Sequence, residues 1–129
     1  MAHDFKQFPE LTNSQIQFYY LESPHRQITE GFIAEVVKVI DGDTIRVRWS
    51  ERDFDFPVRM SRISAAELDE ENGLKSLSWL KKQILGEEVY IIPPKQRVEK
   101  WGRLLGEIIH TGRNINQESM DWGHSIQWA

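Results

Sequence analysis

Three short runs of alternating apolar and polar residues lie close together in the first half of this chain, and they constrain its fold more than any other feature. From Phe32 to Ile40 the apolar positions are Phe32, Ala34, Val36, Val37, Val39 and Ile40. From Thr44 to Trp49, Ile45, Val47 and Trp49 share one face while Arg46 and Arg48 share the other. From Phe54 to Ile63, Phe54, Phe56, Val58 and Met60 share a face, and Arg59 points to the opposite one. A period of two is the mark of a strand, because successive side chains leave opposite faces of the backbone. Asp41-Gly42-Asp43 separates the first two runs as a turn, so they form a β-hairpin.

The period then changes. Leu74, Leu77, Trp79, Leu80, Ile84 and Leu85 mark a helix within Leu68 to Leu85, ended by Gly86 at a C′ position. Val89 to Ile92 reads as a short strand stopped by Pro93-Pro94, and Leu104 to Ile109 as another, closed by a Thr111-Gly112 turn. Asn114 or Asn116 can cap a last helix running toward Gly123. The expected order is β-β-β-α-β-β-α. That order predicts an α+β, mainly β chain: an OB-type five-stranded Greek-key barrel, with one helix between strands 3 and 4 and a C-terminal helix.

Residues 1–30 lack clean periodicity but hold Phe5, Phe8, Phe18, Tyr19 and Tyr20, too many aromatics for a free tail. They are expected to pack as an extension, with turns and one short helix, on a domain spanning 31–129. The extension could cover a barrel edge or a dimer interface, so a monomer and a dimer both stay open.

The chain has 129 residues, enough for one domain with its own core. It has no cysteine, and His3, His25, His110 and His124 are scattered, which argues against zinc. No apolar run approaches the roughly 18–20 residues that span a bilayer, and the polar Met1 to Phe8 carries no signal-peptide core. A soluble, cytoplasmic protein without a membrane partner is expected. The net charge is −4, whereas proteins that coat nucleic acid are usually basic. Any such contact would need a local basic region. Lys95, Arg97, Lys100, Arg103 and Arg113 offer one against Glu99 and Glu107, opposed by the acidic stretch Glu67-Leu68-Asp69-Glu70-Glu71.

The chain carries the groups that phosphodiester hydrolysis needs. A water must be oriented and deprotonated, and charge developing on the phosphoryl oxygens must be neutralised. Carboxylates suit hard cations, and arginine's planar fork matches phosphate oxygens. Asp41 and Asp43 flank Gly42, Arg59 sits in the third strand, Glu67 follows it closely, and Arg103 ends Lys100-Trp101-Gly102-Arg103. Each also has an ordinary structural reading, as a turn, a solvent-facing strand residue or a helix N-terminal acid. Spacing alone does not bring them together.

Three blocks resemble the staphylococcal nuclease (thermonuclease) family: Val36-Val37-Lys38-Val39-Ile40-Asp41-Gly42-Asp43-Thr44; Val58-Arg59-Met60 through Ala66-Glu67-Leu68; and Lys100-Trp101-Gly102-Arg103-Leu104-Leu105-Gly106. Ile115-Asn116 followed by Gly123 is a weaker likeness, and the resemblance covers about residues 32 to 126. It implies a divalent cation, Ca²⁺ with Mg²⁺ or Mn²⁺ as alternatives, on Asp43 and the backbone carbonyl of Ala65, with Asp41 just behind. It implies phosphate contacts by Arg59 and Arg103, a general base at Glu67, and nucleotide contacts by Lys100 and Trp101. The implied substrate is single-stranded DNA or RNA, cleaved to 3′-phosphate ends.

Two departures bear on that implication. The family usually reads Ile-Asp-x-Pro-Glu where this chain reads Ile63-Ser64-Ala65-Ala66-Glu67. Ser64 is a weak ligand in place of a carboxylate, and a missing proline is expected to loosen the turn that aims Glu67. The sequence also stops at Trp128-Ala129, short of the family's tail and last helix, and Trp128 is the candidate to replace a base-stacking tyrosine. Two functions stay open: a metal-dependent nuclease, and a weakly active or non-catalytic module that binds nucleic acid or protein.

Overall fold

The computed structural model describes residues 9–13, 15, 26–65 and 70–128. Its elements are β1 (Phe32–Asp41), β2 (Thr44–Arg48), β3 (Phe56–Met60), β4 (Ile63–Ala65), α1 (Glu71–Ile84), β5 (Glu88–Ile92), β6 (Leu104–His110), β7 (Arg113–Asn114), α2 (Ile115–Asp121) and β8 (Ser125–Gln127). Strands run β3-β2-β1-β5-β6-β7, and β3 also pairs with β6, in parallel, closing five strands into a mixed barrel of the OB type. A short second sheet joins β4 to β8.

Barrel closure begins with β1, whose ten residues serve two neighbours. Its first half pairs with β5, Phe32 opposite Ile91 and Glu35 opposite Glu88. Its second half pairs with β2, Glu35 opposite Arg48 and Asp41 opposite Thr44. The register shifts twice, between Val36 and Lys38 and between Val39 and Asp41. Such irregularities bend and twist a strand, as a small closed barrel requires. Val36, Val39, Ile45, Val47, Phe56, Val58, Met60, Ile91, Leu104 and Ile108 fill the interior.

Helix α1 buries Leu80 and Ile84 against the barrel, while Leu74 is 57% exposed. Its end is fixed by Gly86 at φ 79, whose N–H donates to the Val36 carbonyl at 2.9 Å. Asn114 caps α2 by accepting from the Gln117 N–H at 3.0 Å. Asn116 has another task. Buried completely, it accepts from the Ile108 N–H and donates to the carbonyls of Ser61 and Gly106.

The expected third strand is two strands in the structure. Ser61 and Arg62 break it, Arg62 at φ 68, and β4 leaves the barrel sheet to pair with β8. The Arg62 guanidinium meets the Glu107 carboxylate at 2.6 Å, which holds a bulky residue in a left-handed conformation it would not choose alone. Burial pushes the Glu107 carboxyl up. Hydrogen bonds from Arg62, Ser61 and Asn114 outweigh that and hold it below the usual carboxylate range. Strands β7 and β8 are likewise additions to the expected order. Among the described residues, no helix is long and apolar enough to cross a membrane.

Glu10, 2% exposed, fastens the preceding segment to the barrel. One carboxylate oxygen accepts from Arg52 Nη2; the other accepts from Arg97 Nη1 at 3.1 Å and from the Ile28 N–H at 3.0 Å. The Arg52 guanidinium lies 4.6 Å from the Phe56 ring and 5.3 Å from the Trp49 ring. Arg97 also donates to the carbonyls of Ile28 and Leu11. The expected short helix of residues 1–30 falls mainly on positions outside the described residues. Glu10→Ala would strand two buried guanidinium groups and should destabilise the fold by about 3–5 kcal/mol. Urea unfolding would show this as a lower midpoint at unchanged slope. A loss under about 1 kcal/mol, the scale of exposed pairs, would refute the fastening role.

Candidate functional site

The Asp41-Gly42-Asp43 turn stands at one end of the barrel, wedged between β4 and α1. A Cβ on Gly42 would lie 2.7 Å from the Ala65 Cβ and 2.7 Å from the Ser76 Cβ. Glycine is needed here for close approach, since Gly42 is not among the glycines with positive φ. Asp41 Oδ1 accepts from the Asp43 N–H at 3.0 Å, tightening the turn.

Asp43 is buried and engaged on both oxygens. Oδ1 accepts from the Thr44 hydroxyl at 3.1 Å, and Oδ2 accepts from the Ala65 N–H at 2.9 Å. Arg59 Nη2 lies 3.3 Å from Oδ2. Even so, the Asp43 pKa is raised to about 6. Burial is the main cause, followed by the hydrogen bond to Asp41 and that neighbour's charge; the Ala65 N–H and Arg59 pull the other way.

Arg59 is a buried strand arginine, contrary to its solvent-facing reading. Its Nη1 donates to the carbonyls of Met60 at 2.7 Å and Ile63 at 2.9 Å, so the turn into β4 wraps around it. The Trp128 ring covers its guanidinium at 5.0 Å. Trp128 arrives because β8 pairs with β4 and its N–H donates to the Arg62 carbonyl at 2.7 Å.

Arg103 enters from the connection between β5 and β6. Val98 bridges Leu104, and the Glu99 N–H donates to the Arg103 carbonyl, forming a tight hairpin. Arg103 Nε and Nη2 each meet a Glu99 carboxylate oxygen at 3.2 Å. Its Nη1 reaches the Thr44 hydroxyl at 3.5 Å, so Thr44 links Arg103 to Asp43. Glu99 is part of the site that sequence reading missed. Its four-residue spacing from Arg103 was the available signal, but in a loop that spacing carries little meaning.

These groups line one pocket of about 380 Å³. Asp41, Asp43, Arg59, Ser64, Ala65, Lys100, Trp101 and Arg103 all border it, joined by Glu99 and Trp128. Lys100 lies 5.2 Å from the Trp101 ring, which is 66% exposed. Glu67, Ala66 and Leu68 lie outside the described residues. The candidate basic region is not one continuous strip: Arg97 is buried on Glu10, Arg103 is paired with Glu99, the exposed Arg113 is paired with Glu118, and Lys95 and Lys100 are exposed.

The donor set suits a hard cation. Asp41, Asp43, Ser64 and Ala65 border one space, and the carboxylate, hydroxyl and carbonyl oxygens they carry are the ligand types such a cation takes. Among the described residues, no group of three or more His, Asp or Glu side chains converges, so neutral oxygens would supply half of such a site. Comparison with protein-family models and with curated proteins finds no match.

Asp43 makes a pH prediction for the protein without divalent cations. Its folded pKa of about 6 lies above the ordinary 3.8, so folding favours the protonated form. That contribution is complete below about pH 4 and is lost as pH rises through about 6. The stability difference between wild type and Asp43→Asn, measured by denaturant unfolding, should therefore drift against wild type between pH 4 and 7. A difference independent of pH would contradict the raised pKa.

Proposed function

We propose that this chain is a metal-dependent phosphodiesterase acting on single-stranded nucleic acid. One observation carries the reading. Two arginines and an aspartate from three distant segments meet at a single pocket, linked through Thr44, with Asp41, Ser64 and Ala65 beside them. These are the positions that the resemblance to staphylococcal nuclease marks for phosphate and cation binding.

In this reading Arg59 and Arg103 neutralise the phosphoryl oxygens as charge accumulates on them. Both are preorganised: Arg59 by two backbone carbonyls, Arg103 by Glu99. Glu67, assigned from the resemblance, takes the proton of the attacking water. Asp43 would hold a divalent cation with the Ala65 carbonyl and, more weakly, the Ser64 hydroxyl, with Asp41 just behind; when bound, the cation would supply Lewis-acid polarisation. Trp101 and Trp128 give unpaired bases aromatic faces to stack on, which selects single strands over duplex.

A second reading has its own observation. Glu99 occupies the Nε and Nη2 edge of Arg103, which a phosphate would otherwise meet with both nitrogens. A domain locked this way, with the neutral Ser64, would bind nucleic acid without cutting it.

Incubation with denatured DNA or RNA in Ca²⁺, Mg²⁺ or Mn²⁺ separates the two. The nuclease reading expects cleavage that EDTA abolishes and that Glu67→Gln slows by about 100-fold or more. Oligonucleotide retention without cleavage under all three ions would establish the binding module instead. Equal rates for wild type and Glu67→Gln would remove Glu67 from the mechanism.

A further inference from the structure

Next to this pocket, across Glu99 and Lys100, lies a second groove of about 240 Å³. Those two residues border both spaces. The far wall of the groove is Thr12 and Asn13, from the segment outside the nuclease resemblance, and Gln96 stands on the near side. We propose that this groove is a second subsite, holding the sugar–phosphate backbone of a nucleic-acid strand beyond the linkage in the first pocket. The proposal rests on the phosphodiesterase reading and goes past it: the substrate is a polymer, and the N-terminal segment is part of the binding surface.

The far wall is held in place. The Thr12 hydroxyl accepts from the Gln15 N–H at 3.1 Å, and the Gln15 side chain accepts from the Thr12 N–H at 3.0 Å, a reciprocal capping box. Asn13 bridges to the opposite wall, donating to the Lys95 carbonyl at 3.1 Å and accepting from Arg97 Nε at 3.2 Å. Arg97 in turn grips Glu10 and the Leu11 carbonyl. The width of the groove is therefore set before a ligand arrives, which lowers the ordering cost of binding.

The lining indicates what part of a strand it takes. Two of the three exposed tryptophans among the described residues, Trp101 and Trp128, belong to the first pocket, and the third, Trp122, borders neither space. The groove itself offers a hydroxyl, two amides and the Lys100 ammonium. Aromatic faces suit bases, whereas polar donors and a cation suit the backbone. The Glu99 carboxylate is neutralised by Arg103, so Lys100 is the open charge at the junction. Gln96 is exposed, with its amide free of protein partners among the described residues, so its charge can be changed without breaking a contact.

Binding of a single-stranded octanucleotide and a dinucleotide tests this, in Ca²⁺ and in a Glu67→Gln background that slows turnover. Gln96→Lys should tighten octanucleotide binding by about 3- to 10-fold and steepen its log–log salt dependence by about 0.7, the single-strand increment for one more phosphate contact. Gln96→Glu should weaken octanucleotide binding to a similar degree, and neither variant should move the dinucleotide. Gln117→Lys, which borders neither pocket, controls for nonspecific attraction. The subsite is overturned if all three Gln96 forms bind the octanucleotide alike, if the dinucleotide responds equally, or if Gln117→Lys matches Gln96→Lys. If wild-type residue 96 retains neither ligand, the reading of the first pocket fails and the subsite fails with it.

Discussion

The parallel pairing of β3 with β6 is the constraint on which the site depends. It places Val58 beside Leu104, Arg59 beside Leu105 and Met60 beside Gly106. Without it the sheet would be open, and the strand bearing Arg59 would stand at its far edge from the hairpin bearing Arg103. Closure brings Arg59 within two positions of Arg103 across the ladder. Gly106 permits the approach, since a Cβ there would fall 2.5 Å from the Ile91 side chain and 3.3 Å from Val58. Bends in β1 let the same barrel close on its other side.

Around that barrel the protein buries charge in two contrasting ways. At Glu10 the carboxylate meets two guanidinium groups and a backbone N–H, and the cluster fastens one segment to another. At Asp43 one guanidinium and one N–H face a carboxylate that already has Asp41 beside it, and burial above all, with Asp41 adding to it, lifts the Asp43 pKa to about 6. Perturbed carboxylates of this kind gather at functional sites. The two clusters are connected: Arg97 holds Glu10 and stands at the base of the hairpin that presents Glu99, Trp101 and Arg103.

The sequence revealed this plan where periodicity is long enough to read. Strands β1, β2, β5 and β6, helix α1 and the Asn114-capped α2 all follow from alternation, helical spacing and turn residues. Strands β4 and β8 have three residues each, too few for a period of two to show, and they carry the consequences. The Ile63 carbonyl in β4 and the Trp128 ring just past β8 enclose Arg59, so it is buried where alternation alone leaves it in solvent. Arg97 looked like part of a basic surface because its partner Glu10 lies 87 positions away. Gly42 was read as a turn glycine, but its requirement comes from Ser76 on α1, a contact no local pattern encodes. The grouping of Asp43, Arg59 and Arg103 was legible only through family-like blocks, since they converge through closure of the whole barrel.

The proposed function requires the pocket bounded by Asp43, Arg59, Arg103, Trp101 and Trp128 to receive a phosphate ester together with a divalent cation. Nuclear magnetic resonance of nitrogen-labelled protein tests it most directly, by titrating a nucleoside 3′,5′-bisphosphate with and without Ca²⁺. The indole signals of Trp101 and Trp128 and the guanidinium signals of Arg59 and Arg103 should shift together, with tighter binding when Ca²⁺ is present. Shifts confined to other surfaces, or none at millimolar ligand with Ca²⁺, would contradict it.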